Sequence, residues 1–116
     1  MRARMAIAIS GHQVEFREVL LKDKPPSMIE LSSKGTVPVL LLKSGQVIDE
    51  SLDVIDWALN LSDPDNWLRS NKSEKSLELI HTNDNEFKHH LDRYKYSKRY
   101  DNEDPLIHRE KCLIFI

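Results

Sequence analysis

The sequence predicts a small α/β unit followed by an all-α unit. Three observations carry this. Strand-like alternation and a Ser-Gly turn are confined to the first half, between residues 12 and 48. No strand signal appears from Trp67 to Asp104, where three-four apolar spacing takes over. Between the halves, Ser62, Asp63, Pro64, Asp65 and Asn66 form a cluster of turn residues. We therefore expect residues 1–61 as the first domain, 62–72 as a linker, and 73–116 as the start of a helical second domain.

The elements follow in order. "MRARMAIAISG" predicts a helix closed by Gly11, but it has no N-cap, so the chain opens as though already inside the helix. In "QVEFREVLL", Val14 and Phe16 alternate with Glu15 and Arg17, which predicts a strand. Prolines precede "SMIELSSKG" and a glycine ends it, predicting a short helix over 26–33. Two apolar runs around Ser44-Gly45 predict a hairpin. "SLDVIDWALNL" places Leu52, Ile55 and Leu59 on one face, an amphipathic helix with Ser51 as its N-cap. After the linker, Leu77, Ile80, Phe87, Leu91 and Tyr94 share a stripe that Asp84 interrupts. That predicts two helices, the second started by an Asn83/Glu86 capping box. "LIHREKCLIFI" opens a further helix.

Composition narrows the function classes. The 116 residues carry 17 basic and 19 acidic side chains, a formal net charge of −2. That is not the clustered basic excess of a nucleic-acid binder. The apolar runs are too short to span a bilayer. A single cysteine, Cys112, allows no disulfide within the chain and no multi-cysteine zinc site, and fits a reducing, cytoplasmic compartment. His89 and His90 are adjacent and therefore diverge on a helix surface, so no metal site is expected there.

Chemistry concentrates in "KGTVPVLLLKSGQVIDES". Pro38 cannot donate to a ladder, so it either starts a strand or sits in a cis X-Pro bond. A cis bond would turn the backbone of Val37 outward, free to pair with an extended peptide. Ser51 at a helix start leaves N–H groups and the positive end of the helix dipole for a carboxylate. Glu50 beside it suits an ammonium, so the pair suits an α-amino acid group; a plain capped helix with an acid in its first turn is the alternative. Lys24 precedes two prolines that stiffen its turn. It is either a cation for a second ligand carboxylate or an exposed lysine.

"GTVPVLLL" followed by "GQVIDESLDVIDWAL" resembles the amino-terminal, thioredoxin-like domain of cytosolic glutathione S-transferases, in particular the omega-like and glutaredoxin-like bacterial members. "LLKDKPPSMIELSSKG" fits the same pattern, and "FKHHLDRYKYSKRY" resembles the first helices of their all-α domain. The resemblance implies a thioredoxin-like domain lacking its first strand, followed by the start of the helical domain. It implies that Val37, beside a cis-Pro38, pairs its backbone with the cysteinyl part of glutathione. Glu50 and Ser51 would hold the γ-glutamyl amino and carboxylate groups, and Lys24 would approach the glycine end. It implies glutathione conjugation or glutathione-dependent thiol–disulfide exchange in the complete parent, with a small electrophile or a mixed disulfide as second substrate and a homodimer as the assembly. The family's catalytic cysteine, serine or tyrosine precedes the segment where this chain begins, so no catalytic residue is assigned. Ser10 stands at the wrong end of the first helix to replace it, and Cys112 maps onto neither position. A non-catalytic, transferase-like protein-interaction module is the alternative function, expected to have lost the glutathione contacts. A free-standing glutaredoxin-like reductase would need a cysteine near the start of the first helix.

Overall fold

The structure, a computed structural model, describes residues 1–68 and 73–116. The last part of the expected linker, 69–72, lies outside the described residues. The chain forms two compact units, Met1–Arg69 and Ser70–Ile116.

In the first unit, α1 (Arg2–Ser10) ends at Gly11, whose left-handed backbone (φ 68°) lets its N–H reach Ala8 O at 3.2 Å. Pro26 opens α2 (Pro26–Leu31), which buries Met28 and stops as Ser32 turns extended. The hairpin consists of β1 (Leu40–Leu41) and β2 (Val47–Ile48), antiparallel, with Leu40 opposite Ile48 and Leu41 opposite Val47. Its turn is closed by Leu42 N–H to Gln46 O and Gly45 N–H to Leu42 O, both 2.9 Å. Then α3 (Ser51–Leu61) runs against α1.

Small residues let α1 and α3 approach. Ala3 and Ala6 on α1 and Ala58 on α3 are buried, with Val54 and Leu59 beside them. Ile48 brings the hairpin into this core, and Ile7 and Trp57 pack along it. Burial of a side chain such as Leu59 contributes roughly 1.5–3 kcal/mol. The turn after α3 starts another helical turn: Asp63 accepts from Trp67 N–H (2.8 Å) and Leu68 N–H (2.9 Å), and both side chains join the α3 core.

The expected strand over 13–21 does not form. Alternation is present, but a strand is defined by a paired neighbour, and no ladder partner lies beside it among the described residues. Side chains hold the segment instead. Arg4 of α1 stacks its guanidinium 4.2 Å from the Phe16 ring centre and pairs with Glu18 at 3.5 Å. Leu20 and Asp23 make one isolated bridge at the turn that follows.

In the second unit, Ser73 caps α4 (Glu74–Thr82), its hydroxyl accepting from Ser76 N–H. The helix does not break at Asn83 as expected. It widens into a π-turn over Asn83–Phe87 and continues as α5 (Lys88–Lys95). Asn83 has helical backbone angles and its amide donates to Asp84, so there is no capping box. The wider turn re-phases the stripe, and Asp84 is satisfied by Lys88 one turn on, at 2.8 Å. After a short 3₁₀ turn (Ser97–Arg99), α6 (Pro105–Phe115) starts with Asp104 accepting from Leu106 N–H. Phe87 stacks on Phe115 with ring centres 4.8 Å apart, and Cys112 is buried beside them, its Sγ 3.9 Å from Phe87 O.

Candidate functional site

The sequence-predicted residues lie on three neighbouring pieces of the first unit: the turn before α2, the loop leading to β1, and the junction of β2 with α3. Lys24 and the loop meet at Gly35. Gly35 takes a left-handed conformation (φ 60°), and a Cβ there would stand 3.4 Å from Ile29 Cδ1 and 3.6 Å from Lys24 Cδ. The Lys24 stem therefore lies along the loop backbone, and its ammonium has no ion-pair partner among the described residues.

Two residues on, the Val37–Pro38 peptide bond is cis. Val37 is 54 % exposed, and its N–H and C=O make no hydrogen bond among the described residues. That leaves one backbone donor and one acceptor open to a ligand chain.

At the β2–α3 junction the structure corrects one detail. Ser51 is the first residue of α3, and the extended N-cap position belongs to Glu50, whose C=O accepts from Val54 N–H at 3.0 Å. Ser51 makes no cap hydrogen bond. Its Oγ accepts from Arg2 Nε at 2.9 Å, across 49 residues of sequence. Glu50 is held too: Lys34 Nζ lies 2.7 Å from Glu50 Oε1 and 3.0 Å from Asp49 Oδ1. Ser32, buried at the end of α2, donates to the other Asp49 oxygen at 2.6 Å.

These contacts set the electrostatics. Hydrogen bonds from Ser32 and then Lys34 hold the Asp49 carboxyl below the usual aspartate value. The bonds to Glu50 and Asp49 raise the Lys34 ammonium above the usual lysine value. Both shifts favour the charged forms.

Sequence reasoning singled out Lys24, Val37, Pro38, Glu50 and Ser51 and passed over Arg2, Lys34, Asp49 and Ser32, which the structure brings against Glu50 and Ser51 or their neighbours. Arg2 carries no local signal, because Ser51 is 49 residues along the chain. In the second unit it also missed a cluster of imidazoles. His90 Nδ1 and His108 Nδ1 are 2.8 Å apart, the His89 ring packs edge-on to His90, and His108 Nε2 reaches Glu103 at 2.8 Å.

Comparison with known proteins places the first unit. Residues 1–66 match the glutathione S-transferase N-terminal domain. Among curated proteins, a probable glutathione S-transferase MSR-1 from Nicotiana plumbaginifolia is 33 % identical over 57 residues, covering 49 % of this chain and 26 % of that protein. The chain thus spans about a quarter of the length of that relative. No solved structure matches. With the matched domain covering more than half of its residues, the chain belongs to the glutathione S-transferase family.

Proposed function

We propose that the first unit is a glutathione-binding domain and that Lys24, Val37, Glu50 and Ser51 make the contacts. The observation that carries the reading is Val37, a half-exposed residue whose backbone N–H and C=O make no hydrogen bond among the described residues, in the loop that Lys24 lies along at Gly35. A γ-linked tripeptide has the complementary order: an α-amino acid head, an extended cysteinyl middle with one N–H and one C=O to pair, and a terminal carboxylate. The head carboxylate would lie at the first turn of α3, where the Ser51 hydroxyl and the helix dipole favour negative charge. The middle would add to the Val37 backbone as a short strand. The glycine carboxylate would meet Lys24.

Binding in that pose presents the ligand thiol for reaction. In conjugation, the thiolate forms a C–S bond, the leaving group departs with its electron pair, and the thiol proton passes to solvent. In thiol–disulfide exchange, the thiolate displaces one sulfur of a disulfide and forms a new S–S bond. Both are proposed activities. Cys112 serves neither, since its side chain is buried.

Calorimetric titration of the folded chain with glutathione tests the reading. A measurable affinity that Ser51→Ala weakens about tenfold is the expected outcome, the worth of a hydrogen bond to a charged group. A folded chain that does not bind glutathione overturns it.

A further inference from the structure

We propose that the second unit holds a binding site of its own for a small uncharged phenol, whose O–H is accepted by the bare Nε2 of His90. The inference concerns the second unit alone and stands independently of the glutathione reading.

The acceptor follows from a chain of hydrogen bonds. Glu103 takes both Arg93 Nε and His108 Nε2, each at 2.8 Å, and an ionised carboxylate can only accept. His108 therefore carries a hydrogen on Nε2. In the neutral ring this leaves Nδ1 as a lone pair. His90 Nδ1 lies 2.8 Å from it, so the hydrogen between the rings sits on His90. A neutral His90 has no second hydrogen, and its Nε2 is a lone pair. Glu103 and His108 are thus positioning residues that fix the tautomer of His90. Burial, then the neighbouring His89, His108, Lys111 and Arg93, lower the His90 pKa, which keeps the ring neutral near pH 7.

That lone pair is available to a ligand. Among the described residues no buried side-chain nitrogen or oxygen lacks a partner, so His90 Nε2, which has none, is reachable from outside. His90 lines a cavity of about 570 Å³ bounded by α4, the π-turn, α5 and α6, a size suited to a small molecule. Leu79, Phe87, Ile114 and Phe115 make its apolar wall. Leu79 and Ile114 are exposed, so an apolar ligand would cover surface that now faces water. The stacked Phe87 and Phe115 rings offer an aromatic partner. The cavity's other ionisable residues are Lys75 and Lys111 against Glu78 and Glu86, a balance that gives no net charge to attract an ion. An apolar body therefore supplies the affinity and one hydroxyl supplies the orientation. A phenol suits the acceptor better than an aliphatic alcohol. Its O–H is the stronger donor, and the cations around His90 favour the negative charge its oxygen gains as the hydrogen is shared.

Two measurements on the full chain test this. Imidazole nitrogen-15 shifts near neutral pH should show His108 protonated at Nε2 and His90 at Nδ1, a readout that needs no variant. Fluorescence titration then compares 2-naphthol with 2-methoxynaphthalene, in which the O–H is methylated. The wild type should bind 2-naphthol about fivefold more tightly, the worth of one hydrogen bond. His90→Phe should bring that ratio close to one while keeping the ether's affinity within about twofold. His108→Phe should do the same with His90 in place, because His90 is then free to carry its hydrogen on Nε2. Thermal unfolding checks that both variants fold. A hydrogen on His90 Nε2 in the wild type overturns the proposal. So do equal affinities for the two probes, binding of neither, or a preference for 2-naphthol that survives in a folded His90→Phe or His108→Phe chain.

Discussion

The junction at 49–51 and the imidazole cluster at His89, His90 and His108 are both charge networks, yet they are built oppositely. At the junction each carboxylate faces a cation: Lys34 bridges Asp49 and Glu50, and the bonds push both Lys34 and Asp49 toward their charged forms. In the cluster cations crowd one another. Burial, then the neighbouring His89 and His108, and then Lys111 and Arg93 lower the His90 pKa. One carboxylate, Glu103, takes both Arg93 Nε and His108 Nε2, each at 2.8 Å. Compensated charge on an exposed surface is adjustable and suits a binding site; crowded charge in a partly buried position is a structural constraint. The two networks should therefore respond differently to mutation and to pH.

The largest effect is expected at Glu103. Glu103→Ala leaves the Arg93 and His108 side chains, 22 % and 12 % exposed, without their shared acceptor. Hydrogen bonds to charged groups contribute roughly 1.5–3 kcal/mol when buried. Allowing for the partial exposure of Glu103, a loss of about 1–2 kcal/mol in urea unfolding is expected. A variant as stable as the wild type would place the second unit's cohesion in Phe87, Phe115 and Cys112 alone.

Acid should separate the networks next. The two His Nδ1 atoms share one hydrogen at 2.8 Å, so the two rings cannot both be doubly protonated in this contact. With its pKa lowered by folding, His90 contributes no penalty above its unfolded value of about 6.5, and stability is lost as the pH falls through that value toward the folded one. Asp49, also lowered, keeps its contribution until the pH falls through its own depressed value, below the usual aspartate range. Hydrogen exchange followed from pH 7.5 to 5 should show protection falling in α5 and α6 while α3 keeps its own. His90→Phe should flatten that pH dependence. Equal sensitivity of both units in the wild type would contradict the assignment.

What the sequence made legible, and what it hid, follows from the range of each interaction. Gly11, the Ser44-Gly45 turn and the α2 prolines act on their own neighbours, so they could be read in place. Pro38 was legible as one of two conformers and is cis. Arg2, 49 residues from Ser51, and Lys34, 15 and 16 from Asp49 and Glu50, show no local pattern that would mark their partners. His90 and His108, 18 apart, were hidden in the same way; their meeting depends on how α5 packs on α6. The alternation within 13–21 was read correctly as a pattern and wrongly as a strand, since pairing is a property of two segments. At Asp84 the defect in the stripe was visible and was read as a break between two helices, whereas the chain accommodates it with a wide turn that ends at Phe87, where the ring stacks on Phe115.

The smallest effect sharpens the contrast most. Lys34 is half exposed and its partners are accessible, so Lys34→Gln should barely move the unfolding midpoint at neutral pH. The bridge still has a pH signature. Folding raises the Lys34 pKa, so its contribution is complete below the usual lysine value and is lost as the pH rises through the raised one. The wild type should therefore show a shallow alkaline loss of stability that Lys34→Gln lacks, and added salt should erase the difference by screening the exposed pairs. A neutral-pH destabilisation as large as that of Glu103→Ala would mean that Lys34 is a structural strut. In that case the junction would belong with the imidazole cluster as a constraint on the fold.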